Sequence, residues 1–237
     1  MHYVKSASTA LLATLLLTGC KQEVSSTLYI RDLIEVANTA NNLTTFAEIK
    51  IETSTSEMCF NKKSEITRAI SPFFINLDKI HCIKEGTADF YHAVFELPMI
   101  KAEGKISNEF KGGFSAQLSN QSYGIDIFLA VNLDLLSDLD NNLRSNFIGS
   151  GGINPEDMNI KISVNNDTRD TYSLTTEGVF LDGLAIITGT RYTVDLERRS
   201  ESVVTLADVS VSTLTGRGWG SFAYVGTVSP KTPDAKK

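Results

Sequence analysis

The chain has 237 residues, and its 28 Asp and Glu against 22 Lys and Arg give a formal charge of −6, which argues against nucleic acid and against a polybasic hold on anionic lipid. That length provides one large domain or two small ones. The first apolar run is too short to cross a bilayer as a helix, which takes about 20 apolar residues, and no second stretch is long enough either.

Residues 1–19 have the three parts of an export signal: His2 and Lys5 at a short basic start, the apolar run Ala10–Leu17, and the small pair Thr18-Gly19 at the cut. The run closes on Leu17-Thr18-Gly19-Cys20. That quartet, at this distance from the start, resembles the lipobox of bacterial lipoproteins. The alternative is a plain export signal followed by a chance cysteine. The resemblance covers the first twenty residues and implies a chemistry. The Cys20 thiol takes a diacylglycerol, the leader is cut before Cys20, and the new amino group is acylated. One acyl chain holds only reversibly, at ~0.8 kcal/mol per buried methylene, whereas two or three make an effectively permanent tether. In Gram-negative lipoproteins an Asp after the cysteine retains the protein at the inner membrane. Lys21 therefore implies the outer membrane for such a source, with the body in the periplasm or at the surface.

Lys5 is the only charge removed with the leader, so the remaining chain is one unit more acidic still. Of the three cysteines, Cys20 is given to lipid on this reading. Cys59 and Cys82 remain as an even pair in an oxidising compartment, and a disulfide is expected. A loop of that length is worth about 3 kcal/mol on the chain-entropy model.

In chain order, residues 20–26 read as a short polar tether. Residues 27–101 read as a small α/β subdomain. A strand at Thr27–Arg31 leads to a short helix from Asp32 through Ala37, then a turn at Asn38–Asn42. Thr45–Thr53 alternates, with Ala47, Ile49 and Ile51 on one face and Glu48, Lys50 and Glu52 on the other. A helix over Asn61–Ile70 stops at Ser71-Pro72. Strands at Leu77–Lys84 and Ala88–Leu97 turn at Glu85-Gly86. The run Phe90–Phe95 is apolar on both faces, which predicts a central strand covered on both sides or one side lining a groove.

Residues 102–228 read as a β-rich subdomain. Ile106, Phe110, Phe114, Ala116 and Leu118 share one face, and Tyr123, Ile125, Ile127, Leu129 and Val131 alternate as cleanly. A helix near Asp134–Ser145 carries Leu133, Leu136, Leu139 and Leu143 at helical spacing, with Asn132 as its cap. A loop over Asn146–Pro155 contains Gly149-Ser150-Gly151-Gly152. Strands follow at Met158–Val164, Thr171–Leu181, Ala185–Leu196, Ser202–Leu214 and Trp219–Val228, and residues 229–237 form a disordered tail. The expectation is an α+β fold of antiparallel sheets with a few short helices and one disulfide.

Candidate chemistry is sparse. Cys59, His81, Cys82 and His92 have the residue types of a zinc site. However, adjacent His81 and Cys82 point to opposite faces of a strand, and the compartment favours the disulfide. Gly149-Ser150-Gly151-Gly152 lacks the strand-to-helix elbow of a serine hydrolase. Thr215-Gly216-Arg217-Gly218-Trp219-Gly220 lacks the lysine and spacing of a phosphate loop and reads as a turn into the last strand. A calcium loop starting at Asp138 would need Gly and Glu where Leu143 and Gly149 stand, so Asp134, Asp138 and Asp140 read as a solvated helix face. Trp219, Phe222 and Tyr224 are a candidate binding patch, with Phe222 and Tyr224 on one face and Trp219 on the other. No catalytic residue, metal or cofactor is assigned.

Chain length, the 27–101 organisation and the cysteine pair are also similar to those of small lipoproteins of phages and mobile elements. That resemblance implies a role at the cell envelope, such as blocking a phage receptor or assisting an envelope complex. The expected function is non-enzymatic: an outer-membrane lipoprotein acting by contact with an envelope protein. The alternative is a periplasmic carrier of lipid or another hydrophobic ligand, recognisable by an apolar cavity above ~300 Å³.

Overall fold

The computed structural model describes residues 22–39, 41–53, 55–146 and 158–227. The export signal, Cys20, Ser150 with its glycines, and the 229–237 tail lie outside the described residues.

The chain runs β1 (Gln22–Tyr29), α1 (Ile30–Asn38), β2 (Leu43–Thr53), α2 (Ser56–Ile70), β3 (Ile75–Glu85), β4 (Ala88–Lys101), β5 (Phe114–Gln121) and β6 (Gly124–Val131). It continues through α3 (Leu133–Asn146), β7 (Met158–Asn165), β8 (Tyr172–Thr176), β9 (Val179–Leu181), β10 (Leu184–Ile186), β11 (Tyr192–Leu196), β12 (Glu201–Leu206), α4 (Asp208–Arg217) and β13 (Trp219–Thr227). The strands form one sheet in the order β10-β9-β12-β7-β1-β2-β4-β5-β6-β13-β8-β11, with β3 added beside β4. Its pairings are antiparallel except β1 with β7 and β4 with β5. This is the expected α+β fold of antiparallel sheet with a few helices and one disulfide.

The sheet runs straight across the boundary expected at 101–102. β1 lies between β2 and β7, and β4 pairs with β5, so both halves contribute to one core extending from Val24 to Val225. The polar run expected as a tether is strand from Gln22 onward. Gln22, Val24, Ser26 and Leu28 alternate into the interior, and the ladders of β2 and β7 satisfy the backbone on both sides.

One face of the sheet is apolar and the other wet. On the wet face Lys50 Nζ lies 2.7 Å from Glu85 and 3.9 Å from Glu23, Lys161 Nζ lies 2.6 Å from Glu23, and His92 Nε2 lies 3.2 Å from Glu48. α1 buries Leu33 and Val36 and packs against β1 and β4–β6, while α2 packs against β2–β4 and α3. Where α2 ends, Phe73 meets Phe74 and Phe114 edge-on at centroid distances of 4.8 and 5.3 Å, and Phe74 meets Phe95 at 4.7 Å. α2 starts earlier than expected because the Thr55 side chain accepts a hydrogen bond from the Met58 N–H at 3.0 Å. Asn132 caps α3 in the same way, accepting from the Leu135 N–H at 3.2 Å. The Cys59–Cys82 disulfide, with a Cα–Cα distance of 6.0 Å, ties the start of α2 to β3.

Three expected strands are interrupted. The run Ser202–Leu214 divides into β12 and α4. Asp208 sits in the first turn of α4, Val211 and Leu214 are buried at helical spacing, and Gly218 ends the helix at φ 82° with its N–H on Leu214 O. Thr171–Leu181 breaks at Glu177-Gly178, and Ala185–Leu196 breaks between β10 and β11. The sheet curls until its flanks meet at buried Asn166, beyond β7. Asn166 Nδ2 donates to Asp170 O and to Leu196 O, the last residue of β11, both at 2.8 Å. Its Oδ1 accepts from Thr168 N and Oγ1, and its backbone exchanges hydrogen bonds with the Arg199–Ser200 turn.

Candidate functional site

Four side chains form a row across four adjacent strands. Asp126 of β6 pairs with Tyr224 of β13, which pairs with Thr175 of β8, which pairs with Thr193 of β11. Each alternates with residues that point into the core, such as Ile125, Ile127, Leu174 and Val225. The Thr175 and Thr193 hydroxyls lie 2.8 Å apart.

A β-bulge creates this row. The β6–β13 register shifts between Ser221 and Ala223, so Phe222 and Ala223 are buried in succession. Strict alternation puts Tyr224 with Phe222 and opposite Trp219. The extra residue reverses this: Phe222 enters the core, while Trp219 and Tyr224 both line the outer groove. Trp219 rests edge-on against Phe128 at 5.8 Å.

Tyr123 also departs from its expected place on the core face. It lies in the β5–β6 turn, 64% exposed, with its ring 5.0 Å from that of Tyr224. Gly124 at φ 147° makes this turn, and a β-carbon there would strike the Tyr224 hydroxyl and the Val225 carbonyl. The two tyrosines, Asp126, Thr175, Arg191 and Trp219 line a groove of about 570 Å³, bordered by α4. Ser210, Thr213 and Arg217 recur at helical spacing along that border, while Val211 and Leu214 of the same helix are buried.

Burial raises the Asp126 carboxyl above its usual range, and Arg191 partly offsets this. Burial, then Tyr123 and Asp126, raise the Tyr224 hydroxyl. Glu177 Oε2 lies 3.6 Å from Arg191 Nε, and Glu177 Oε1 accepts the Gly189 N–H at 2.8 Å. Thr176 Oγ1, at the groove wall, is buried without a hydrogen-bond partner. The groove therefore offers aromatic faces, two carboxylates, two guanidinium groups and several hydroxyls, the equipment for non-covalent recognition.

The other sequence candidates are scattered. Cys59 and Cys82 are joined to each other, which removes both thiols as metal ligands. His81 and His92 sit side by side on β3 and β4 with rings 6.4 Å apart, and His92 faces Glu48. Among the described residues no group of three or more His, Cys, Asp or Glu is placed to hold a metal ion. Asp134 and Asp138 are exposed on α3. Thr215–Gly220 is the end of α4 and the turn into β13, as expected. In the Phe90–Phe95 run, Tyr91, Ala93 and Phe95 are core, and His92 and Val94 are half-buried. Sequence reasoning named Trp219 and Tyr224 but put them on opposite faces and missed Asp126, Thr175 and Thr193 beside Tyr224. The sequence patch of Trp219, Phe222 and Tyr224 pointed to this strand, and Asp126, the single charge within the apolar alternation of β6, was the signal left unused.

The fold and groove define a single α+β body, a curled and mostly antiparallel sheet with an aromatic-lined surface groove. The chain belongs to the family described as a domain of unknown function (DUF7424), whose model matches residues 22–232. No curated protein matches the chain.

Proposed function

We propose that this protein is a lipid-anchored envelope lipoprotein, attached to the outer membrane through Cys20, that acts without catalysis by binding another envelope protein through the groove around Tyr224. The observation that carries this reading is the composition of the groove on a rigid sheet. Tyr123, Tyr224, Trp219, Arg191 and Arg217 are the residue types that dominate binding energy at protein interfaces, where a few anchors outweigh the remaining contacts. The raised Asp126 carboxyl and its neighbour Arg191 add complementary charge that selects among partners.

The carrier alternative has less support. The space between α2 and strands β4 and β5 is taken up by the packed rings of Phe73, Phe74, Phe95 and Phe114. The groove itself carries charged and hydroxyl groups rather than a continuous apolar lining.

The test places a photo-crosslinking amino acid at Tyr123 in the native lipoprotein, in cells, and identifies adducts of protein and lipid together by mass spectrometry. One dominant envelope protein supports the contact reading. Phospholipid adducts without a protein would replace it with the carrier reading. Membrane fractionation of Cys20→Ser tests the anchor, which predicts release of the protein.

A further inference from the structure

We propose that the end of the sheet where β1 begins is a membrane-docking face, and that Met58, Phe60, Ile187 and Val209 enter the bilayer interface there. The inference rests on lipid attachment at Cys20 and adds an orientation to it.

The tether sets the geometry. β1 is already strand at Gln22, locked opposite Ile51 of β2 and Met158 of β7. Only Lys21 separates it from Cys20, and two residue steps of extended chain reach ~7 Å at most. A central strand of the sheet therefore starts at the level of the lipid headgroups, and whatever shares that end of the sheet is held against the membrane.

The register identifies what shares it. β2 ends beside the start of β1, and α2 follows within three residues, bringing Met58 and Phe60 in its first turns. β7 starts beside Gln22 and β12 descends alongside it, so Val209 at the start of α4 emerges here. Leu206 pairs with Val179, and Val179 with Ile186, which puts Ile187 at the same end. Phe60 is 66%, Ile187 70% and Val209 71% exposed, with Met58 at 38%. Glu57 and Asp208 in the first turns of the same two helices offer anionic headgroups no attraction. Lys62 and Lys63 follow Phe60 in α2, but Lys62 is held by Glu65 at 2.8 Å, so the apolar side chains carry the contact with the lipid surface. Interfacial apolar side chains of this kind settle about 5–10 Å into the headgroup and acyl boundary. Val209 also borders the groove, so the partner would be met close to the bilayer.

The experiment uses the lipidated full-length protein in phosphatidylcholine vesicles, with an environment-sensitive fluorophore on Ile187→Cys, Val209→Cys or Phe46→Cys. Phe46 is 73% exposed beside Ala47, at the far end of the β1–β2 ladder, so all three labels sit outside the core. The expected result is blue-shifted emission from 187 and 209 that shallow spin-labelled lipid quenches, with neither effect at 46. If 187 and 209 behave like 46 while the protein still floats with the vesicles, the docking face is overturned and the anchor stands. If the protein does not float, the anchor fails and the docking face with it. Hydrogen exchange on the unlabelled protein gives a second readout. Residues 56–60, 186–189 and 207–210 should gain protection on vesicles relative to Cys20→Ser, and equal exchange overturns the proposal.

Discussion

Tyr224 faces Asp126 across the β6–β13 ladder because one extra residue in β13 turns it out of the core. The carboxylate is thereby held in a half-buried site beside a phenol. Its raised pKa means the folded protein binds the Asp126 proton more readily than the unfolded chain does. The ionised group therefore costs stability above its folded pKa, and that cost disappears as the pH falls through it. Asp126→Asn is expected to be more stable than the wild type at neutral pH, with the gap closing on acidification. Urea midpoints of both proteins at neutral and mildly acidic pH check this, and a gap independent of pH would remove the linkage.

Asn166 joins the two flanks of the sheet through side-chain hydrogen bonds to Asp170 O and Leu196 O. Asn166→Ala leaves the Leu196 carbonyl without its donor in a buried place, while the Asp170 carbonyl keeps the Thr168 hydroxyl at 3.3 Å. The expected loss is about 2 kcal/mol, from two hydrogen bonds and one orphaned buried acceptor. Denaturant unfolding measures it, and a loss within error of zero would mean that the flanks close without this residue.

Gly113 is buried against Phe73, and a β-carbon there overlaps the ring. The backbone cannot retreat easily, because the Gly113 N–H donates to Phe73 O at 2.6 Å and its carbonyl accepts from Asn132 N at 2.9 Å. Gly113→Ala should force Phe73 away from Phe74 and Phe114 and destabilise by roughly 1–3 kcal/mol. Adding Phe73→Leu to that variant should recover part of the loss, a coupling that a double-mutant cycle reads directly.

Reducing the Cys59–Cys82 disulfide should cost about 3 kcal/mol, the entropy of a loop of this length. Cys82→Ser should cost about that much and Cys59→Ser more, because Cys59 is fully buried and a serine there also buries a hydroxyl. Unfolding with and without reductant checks the size, and non-reducing peptide mapping checks the pairing.

The parts legible in the sequence are those decided by period and punctuation. Ala47, Ile49 and Ile51 declared β2 by alternation, the leucines of α3 declared their helix, and the even pair Cys59 and Cys82 pointed to their bond. The parts that were not legible depend on partners distant in sequence. Gln22–Ser26 is polar enough to read as a tether, and only β2 and β7 on either side make it a strand. The valines before Leu214 favour a strand in isolation, yet α4 forms because Val211 and Leu214 find a core to enter. The groove depends on a bulge, and a single inserted residue carries no signature in composition.

The parallel ladder between β1 and β7 has a consequence for how the molecule is made. β1 gains one neighbour almost at once, from β2, but the other side waits for a strand that follows α3. A chain appearing N-terminus first passes through an interval in which that side is a row of unpaired amides and carbonyls above an apolar face. This is the species most able to recruit a second copy. Closing so long a loop is also the slow step on entropic grounds. The arrival of β7 therefore both finishes the sheet and ends the period of greatest aggregation risk.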